Sequence, residues 1–266
     1  MNTTFGWMDK TSDNAFLGGR LQILQPRSGY RAGIDPVLLA ASVPAKAGQS
    51  VLELGCGVGT ALLCLAARVP DLSLTAVELQ PEYAALAREN AARNQIAMAV
   101  TCADLDDLPA PVKGQSFDHV IANPPFFLRG PATGGGDPAQ ETGRETGRGE
   151  GLALSRWVEV AAKRLAPGGC ATFIQRAERL PDLMSACEGR LGSLEVLPLA
   201  PRAGRAARLV LLRGRKSGRA AFRLHAPLVL HQGAAHIRDG DDYCELISDV
   251  LRNGAALPFG GSGSGP

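Results

Sequence analysis

Between residues 50 and 175 short apolar runs alternate with amphipathic ones, and this alternation constrains the fold more than any other feature of the chain. Residues 51–54, 72–77, 97–102, 117–122 and 170–175 read as strands. Residues 60–68, 81–94 and 152–165 read as helices, the last stopped by Pro167-Gly168-Gly169. Parallel strands need long crossovers and helices supply them, so the expected architecture is α/β, a mostly parallel sheet covered on both faces. Hydrophobic residues make up 45% of the chain, enough to fill such a core.

The flanks read differently. Residues 20–25 and 29–31 about Pro26-Arg27-Ser28 suggest a β-hairpin, and Asp35-Pro36 an N-cap and first turn of a helix reaching Ser42. The last third suggests strands at 194–199, 206–212 and 228–230 and a helix at 241–251. Residues 1–47 then form an extension, 48–258 the main domain and 259–266 a flexible tail. The glycine-rich stretch 129–151 reads as a mobile loop, either a lid or a surface insertion.

Composition removes several function classes. Six cysteines lie far apart with no C-x-x-C pair, which points to reduced thiols in a cytoplasmic protein rather than a disulfide scaffold. Four histidines without helical ligand spacing argue against a zinc site, so no metal is expected. His231 reads as structural rather than catalytic. The first twenty residues lack a signal pattern, and no apolar run reaches membrane-spanning length.

The loop after the first long strand is Glu53-Leu54-Gly55-Cys56-Gly57-Val58-Gly59-Thr60. Glycines at alternate positions let the backbone approach a ligand, and the following helix aims its N–H groups at it. The third glycine falls one residue early for a dinucleotide loop, and Glu53 is awkward beside a pyrophosphate but suits an ammonium group. Glu78 ends the second strand, where a carboxylate can accept both ribose hydroxyls. Asp104 follows the third, within reach of an adenine amino group. Three acids at three successive strand ends favour an adenosine ligand.

These motifs resemble those of the class I S-adenosylmethionine-dependent methyltransferases, over roughly residues 48–175. The resemblance implies a Rossmann-like, mostly parallel seven-stranded sheet with helices on both faces. It also implies S-adenosylmethionine held by Glu53, Gly55, Gly57, Gly59, Glu78, Asp104 and Asn123. Arg31 and Asp35, just ahead of the glycine loop, are expected to shape or contact the same pocket.

The fourth strand ends in Asn123-Pro124-Pro125-Phe126. Two prolines fix the backbone and remove two donors, so the loop presents acceptors, and Phe126 offers a stacking face. The tetrapeptide resembles the motif of methyltransferases acting on exocyclic amino or amide nitrogens. There the Asn side chain and first Pro carbonyl accept from the target nitrogen, which implies roles for Asn123 and Pro124, with Pro125 stiffening the loop and Phe126 stacking on the base. An adenine amino lone pair is delocalised into the ring. Two acceptors orient its N–H bonds and steer the lone pair toward the methyl group, so catalysis is largely positioning.

The motif alone leaves adenine, guanine N2 in rRNA and a release-factor glutamine open. The flanks Phe16–Arg20, Gln25–Pro36 and Pro227–His231 resemble the bacterial tRNA (valine) adenine-N6 methyltransferase family, extending the similarity to roughly residues 14–251. That resemblance implies a tRNA substrate methylated near the anticodon. This chain departs in carrying Phe126 where the family often has tyrosine. No acid lies between Val196 and Ile237, a stretch holding Arg202, Arg205, Arg208, Arg213, Arg215 and Lys216, and such a field suits phosphates. Arg208 and Arg213 differ in parity along a strand and cannot share a face. Two readings of other classes remain. A non-catalytic cofactor-binding partner subunit is opposed by the intact Asn-Pro-Pro-Phe, and a nicotinamide oxidoreductase by the glycine spacing.

Overall fold

A computed structural model describes residues 10–125, 154–233 and 242–259. Phe126, the glycine-rich stretch 129–151 and the tail beyond Phe259 lie outside the described residues. Strands β1 (Thr11–Phe16) and β2 (Leu21–Pro26) form an antiparallel hairpin, followed by α1 (Asp35–Ser42). The alternating part comprises β3 (Ser50–Leu54), α2 (Thr60–Arg68), β4 (Ser73–Glu78), α3 (Pro81–Arg93), β5 (Met98–Cys102), a single-turn α4 (Ala110–Lys113), β6 (Phe117–Ala122), α5 (Leu154–Arg164) and β7 (Leu165–Arg176). Then come α6 (Leu180–Cys187), β8 (Gly192–Ala200), β9 (Leu209–Arg215), β10 (Arg223–Leu224), β11 (Leu228–Val229) and α7 (Glu245–Asn253).

The main sheet runs β10-β8-β9-β7-β6-β3-β4-β5, with β11 also on β8. Only β9 runs against its neighbours, β7 and β8. Among the described residues the sheet has nine strands rather than the seven expected. The two extra positions are two-residue strands on one edge of β8, β10 against Glu195 and Val196 and β11 against Leu199 and Ala200. Pro227 lies between them and has no N–H to donate, so the edge is covered in two pieces. Helices α1, α2, α3 and α7 bury one face of the sheet, α4, α5 and α6 the other. On α5, Leu154, Trp157, Val158 and Ala161 are buried at helical spacing, while Lys163 and Arg164 close the last turn.

The hairpin turns at Leu17-Gly18-Gly19, not about Pro26-Arg27-Ser28. All three residues have positive φ (50°, 66° and 95°), which suits two glycines. The free edge of β2 is met by side chains. Asn90 of α3 accepts from Leu24 N (2.7 Å) and donates to Leu24 O (3.0 Å), and Asn94, one turn on, pairs likewise with Gln22 N and O (both 2.9 Å). Two asparagines at i and i+4 thus replace a missing strand. Arg20, past the turn, donates to Ala67 O near the end of α2 (2.5 Å) and to Asn253 O at the end of α7 (2.7 Å), cationic where both helix dipoles are negative. In α1 the N-cap is Ile34, and Asp35 is the first helical residue. Helix α6, with Pro181 in its first turn, was not among the sequence expectations.

His119, in β6, is buried, with Nε2 3.0 Å from Gln49 Oε1. Burial lowers its pKa to about 4; the cations of Arg213, Arg215 and Arg68 add to this against the opposing pull of Asp118. Below pH 6.5 the unfolded chain takes up a proton that the fold refuses, so stability falls as pH drops from 6.5 toward 4. His119→Gln should reduce that loss by roughly 2 kcal/mol at pH 5, at 1.36 kcal/mol per pKa unit. Urea midpoints of both proteins at pH 7 and pH 5 check it, and equal losses would show that His119 protonates within the fold.

Candidate active site

A cleft of about 680 Å³ opens at the C-terminal ends of β3, β4, β5 and β6. That is within the usual range for a ligand site, and its place is where α/β sheets bind ligands. The glycine loop forms its floor. Gly55, Gly57 and Gly59 all have positive φ (64°, 55° and 85°). A Cβ on Gly55 would lie 2.6 Å from Trp157 Cη2, so the indole rests directly on the loop.

Four acids line the cleft, Glu82 in the first turn of α3 and three at strand ends, Glu53, Glu78 and Asp104. Glu78 Oε2 accepts from Gly57 N (2.8 Å) and Oε1 from Gln80 N (2.9 Å), which fixes the carboxylate plane and leaves a lone pair on each oxygen. Glu53 is almost fully buried and, among the described residues, accepts from Leu62 N alone (3.3 Å). Burial raises its pKa well above the carboxylate range, and the nearby Glu78 adds to this. A cationic ligand group would relieve both effects. Asp104 Oδ1 accepts from Asp106 N (2.9 Å), capping the turn Leu105–Asp107.

The acceptor loop leaves β6 at Ala122. Asn123 Nδ2 donates to the Tyr30 hydroxyl (3.4 Å), while Asn123 Oδ1 is buried with no partner among the described residues. The Pro124 carbonyl accepts from Gln175 Nε2 (3.2 Å), and Gln175, fully buried in β7, accepts at Oε1 from Arg176 N (2.8 Å). Pro124 and Pro125 both line the cleft. Among the described residues, three on the wall carry buried polar atoms without a partner: Thr60 Oγ1, Trp157 Nε1 and Asn123 Oδ1. Each costs about 1–3 kcal/mol until a ligand satisfies it. Acids, glycine floor and orphaned atoms together fit a ligand with a nucleoside at one end and an amino acid at the other.

Tyr30, Thr60, Trp157 and Gln175 had no role in the sequence reading. Gln175 carried a signal, an amide ending the strand run Ala171-Thr172-Phe173-Ile174. Tyr30 stood in a flanking segment with nothing to mark it. Arg31 and Asp35, expected at the pocket, are not on its wall. Arg31 donates to Ser12 Oγ (2.8 Å), Pro26 O (2.5 Å) and Asn14 Oδ1 (3.0 Å), pinning the hairpin beneath the 28–32 segment. Burial raises the Asp35 pKa, opposed by Arg176.

The arginine stretch is split by topology. Leu209 pairs with Arg176, so the connection holding Arg202, Arg205 and Arg208 lies at the cleft edge of the sheet. Arg213 and Arg215 pair with Thr172 and Cys170, toward the opposite edge. Arg213 is buried, donates to Ser42 O and stacks on Phe259 with its guanidinium 3.9 Å from the ring centroid. It is a core tie, not a surface cation. Arg215 and Lys216 donate to Gly168 O and Leu165 O. Arg202 is bound to Asp242, which also meets His231 Nδ1 at 2.6 Å. Among the described residues no three His, Cys, Asp or Glu side chains could hold a metal ion, and no helix is long and apolar enough to cross a membrane.

Residues 32–133 match the methyltransferase small domain family. The chain is 31% identical over 202 residues to a tRNA1(Val) (adenine(37)-N6)-methyltransferase of Actinobacillus succinogenes, covering 75% of this chain and 82% of the relative. It is 29% identical over 203 residues to one from Aeromonas hydrophila, covering 76% and 83%. Among solved structures, a predicted O-methyltransferase from Agrobacterium tumefaciens aligns with a TM-score of 0.67 at 26% identity, over 84% of this chain and 98% of that one. A T. thermophilus 16S rRNA N2 G1207 methyltransferase, solved with AdoMet and guanosine, shares the fold, with a TM-score of 0.52 at 20% identity over 77% and 50%.

Proposed function

This chain belongs to the tRNA1(Val) (adenine(37)-N6)-methyltransferase family, and we propose that it methylates N6 of an adenine beside the anticodon of a tRNA. It is an S-adenosylmethionine-dependent N-methyltransferase. The observation that carries the reaction is the buried Asn123 Oδ1, without a partner among the described residues, beside the Pro124 carbonyl, which suits a planar NH2 nitrogen; the tRNA-modifying relatives favour adenine over guanine or glutamine. A primary amine on a planar ring brings two N–H bonds, and these two acceptors take one each.

When bound, S-adenosylmethionine supplies a methyl group on a positively charged sulfur. Glu78 would accept from the ribose hydroxyls, Asp104 from the adenine amino group, and Glu53 from the ammonium end. The glycine loop gives close approach, and Thr60 and Trp157 fill their open hydrogen bonds. Asn123 and Pro124 turn the amine so that its lone pair, not its N–H bonds, faces the methyl group. Gln175 holds the Pro124 carbonyl in plane from behind. No general base is needed before transfer, since the surplus proton leaves the nitrogen for water afterwards. A base in a stem must leave the stack to reach such a site, whereas a loop base need not. Phe126 is placed in sequence to stack on it. Residues 10–47 serve as an extension that completes the cleft, and the protein works in the cytoplasm with its tRNA.

The test is purified protein with deuterated-methyl S-adenosylmethionine and unmodified tRNA, the digested nucleosides being read by mass spectrometry. Labelled N6-methyladenosine is expected. Labelled N2-methylguanosine would move the protein to the guanine reading, and transfer to a release-factor glutamine to the amide one.

The exposed side chains of Arg205 and Arg208 at the cleft edge are our assignment for binding the RNA phosphates. Arg205→Glu with Arg208→Glu should weaken tRNA binding and lower the slope of log K against log salt by roughly 0.7–0.9 for each phosphate no longer neutralised. Arg215→Glu, toward the far edge, should change neither. Filter binding at several salt concentrations checks this, and a larger effect from Arg215 would reverse the orientation of the RNA.

A further inference from the structure

We propose that Tyr30 is the positioning residue that sets the polarity of the Asn123 amide, so that its oxygen rather than its nitrogen faces the target amine. The proposal rests on the adenine-N6 reading above and adds a residue to it. A side-chain amide has two nearly isosteric ends, one accepting and one donating. Turned the wrong way, Asn123 would oppose N–H to N–H and repel the amine, so something must choose the orientation.

The Tyr30 hydroxyl makes that choice. It receives Asn123 Nδ2 at 3.4 Å, and Oδ1 is left buried and unpartnered at the cleft. A phenol can donate or accept, so polarity is fixed only if its own proton is drawn elsewhere. Asp35 and Glu53 stand close enough that their carboxylates add to desolvation in raising the Tyr30 pKa to about 12. The group therefore stays a neutral phenol at working pH. The charge of Asp35 favours turning the phenol proton away from the amide, which leaves a lone pair for Nδ2.

The tyrosine is held for this task. Its carbonyl accepts from the Tyr83 hydroxyl on α3 (3.1 Å). Two residues on, Ala32 N donates to the buried Gln25 Oε1 (2.7 Å). Its ring lies 3.6 Å from where a Cβ on Gly57 would stand, so one side chain spans the cleft from glycine loop to acceptor loop. The N-terminal extension thereby reaches the reacting centre through a single residue.

Tyr30→Phe keeps the ring and removes only the hydroxyl. The expected result is a tenfold lower kcat, with the dissociation constant for S-adenosylmethionine (by calorimetry) and the melting temperature unchanged. Tyr30→Phe should cost less in an Asn123→Asp background, because a carboxylate accepts at both oxygens and has no wrong orientation. An unchanged kcat in Tyr30→Phe would overturn the proposal. So would a fall in kcat matched by weaker cofactor binding, which would make Tyr30 a wall of the cofactor site. Wild-type protein assayed in parallel separates the two failures. If it forms no N6-methyladenosine, the functional reading fails; if it does and Tyr30→Phe matches it, only the role of Tyr30 fails.

Discussion

Asn123→Ala should bind S-adenosylmethionine as tightly as the wild type and turn over about 10²–10³ times more slowly. That range is what loss of one preorganised hydrogen-bonding group at a reacting centre costs, about 2.7–4 kcal/mol. The alanine removes the orphaned Oδ1 and leaves the Pro124 carbonyl, still held by Gln175, as the sole acceptor. The amine can then rotate, and its lone pair spends most of its time off the line of transfer. Glu78, Asp104 and the glycine loop are untouched, so cofactor affinity should stay within about a factor of two. Single-turnover kinetics with bound cofactor give the rate, and calorimetry the affinity. Turnover within threefold of wild type would remove Asn123 from the chemistry.

Gly55→Ala carries the largest expected loss of stability and of cofactor binding together. Alanine at a φ of 64° costs roughly 1–2 kcal/mol for the left-handed backbone alone. Its Cβ would also stand 2.6 Å from Trp157 Cη2, and the indole is a rigid group on a packed helix. Overpacking of that kind adds roughly 1–3 kcal/mol. A melting temperature lower by roughly 5–15 °C follows for a chain of this size. Displacing Trp157 also disturbs the loop, so cofactor affinity should fall at least tenfold. Gly48→Ala is the control: its φ is 81°, but nothing lies within 4 Å of the added Cβ, so it should show the backbone cost alone. Equal losses in the two variants would mean that Trp157 yields without consequence.

What the sequence reveals of this molecule depends on whether a feature is local. Helix α2 and strand β6 begin and end where their patterns say, because apolar period and bounding residues lie within one short window. The glycine loop and Asn123-Pro124-Pro125 are legible for the same reason: each is one contiguous turn with a chemical purpose. The hairpin is not. Its partner strand Thr11–Phe16 (TSDNAF) alternates weakly and carries polar residues, and it is stabilised by pairing with β2, whose other edge Asn90 and Asn94 cover from far along the chain. The tie from Gln175 to Pro124 spans 51 residues and that from Tyr30 to Asn123 spans 93, beyond any local pattern. The arginines show the opposite error. Charge density along the sequence made one group of them, while strand pairing sends Arg208 and Arg213 toward opposite edges of the sheet.

Arg20 also carries a consequence for how the protein is made. Its guanidinium closes α2 and α7 together, and its partner Asn253 lies 233 residues further along the chain. At roughly 5–20 residues per second, a ribosome needs roughly 10–50 s to synthesise the stretch between them. For all of that time the hairpin tip, and for most of it the end of α2, awaits a helix that has not emerged. The hairpin segment therefore takes a final partner from a helix synthesised 233 residues later. Pairings of such long range slow folding, and here translation itself sets the earliest moment at which they can form.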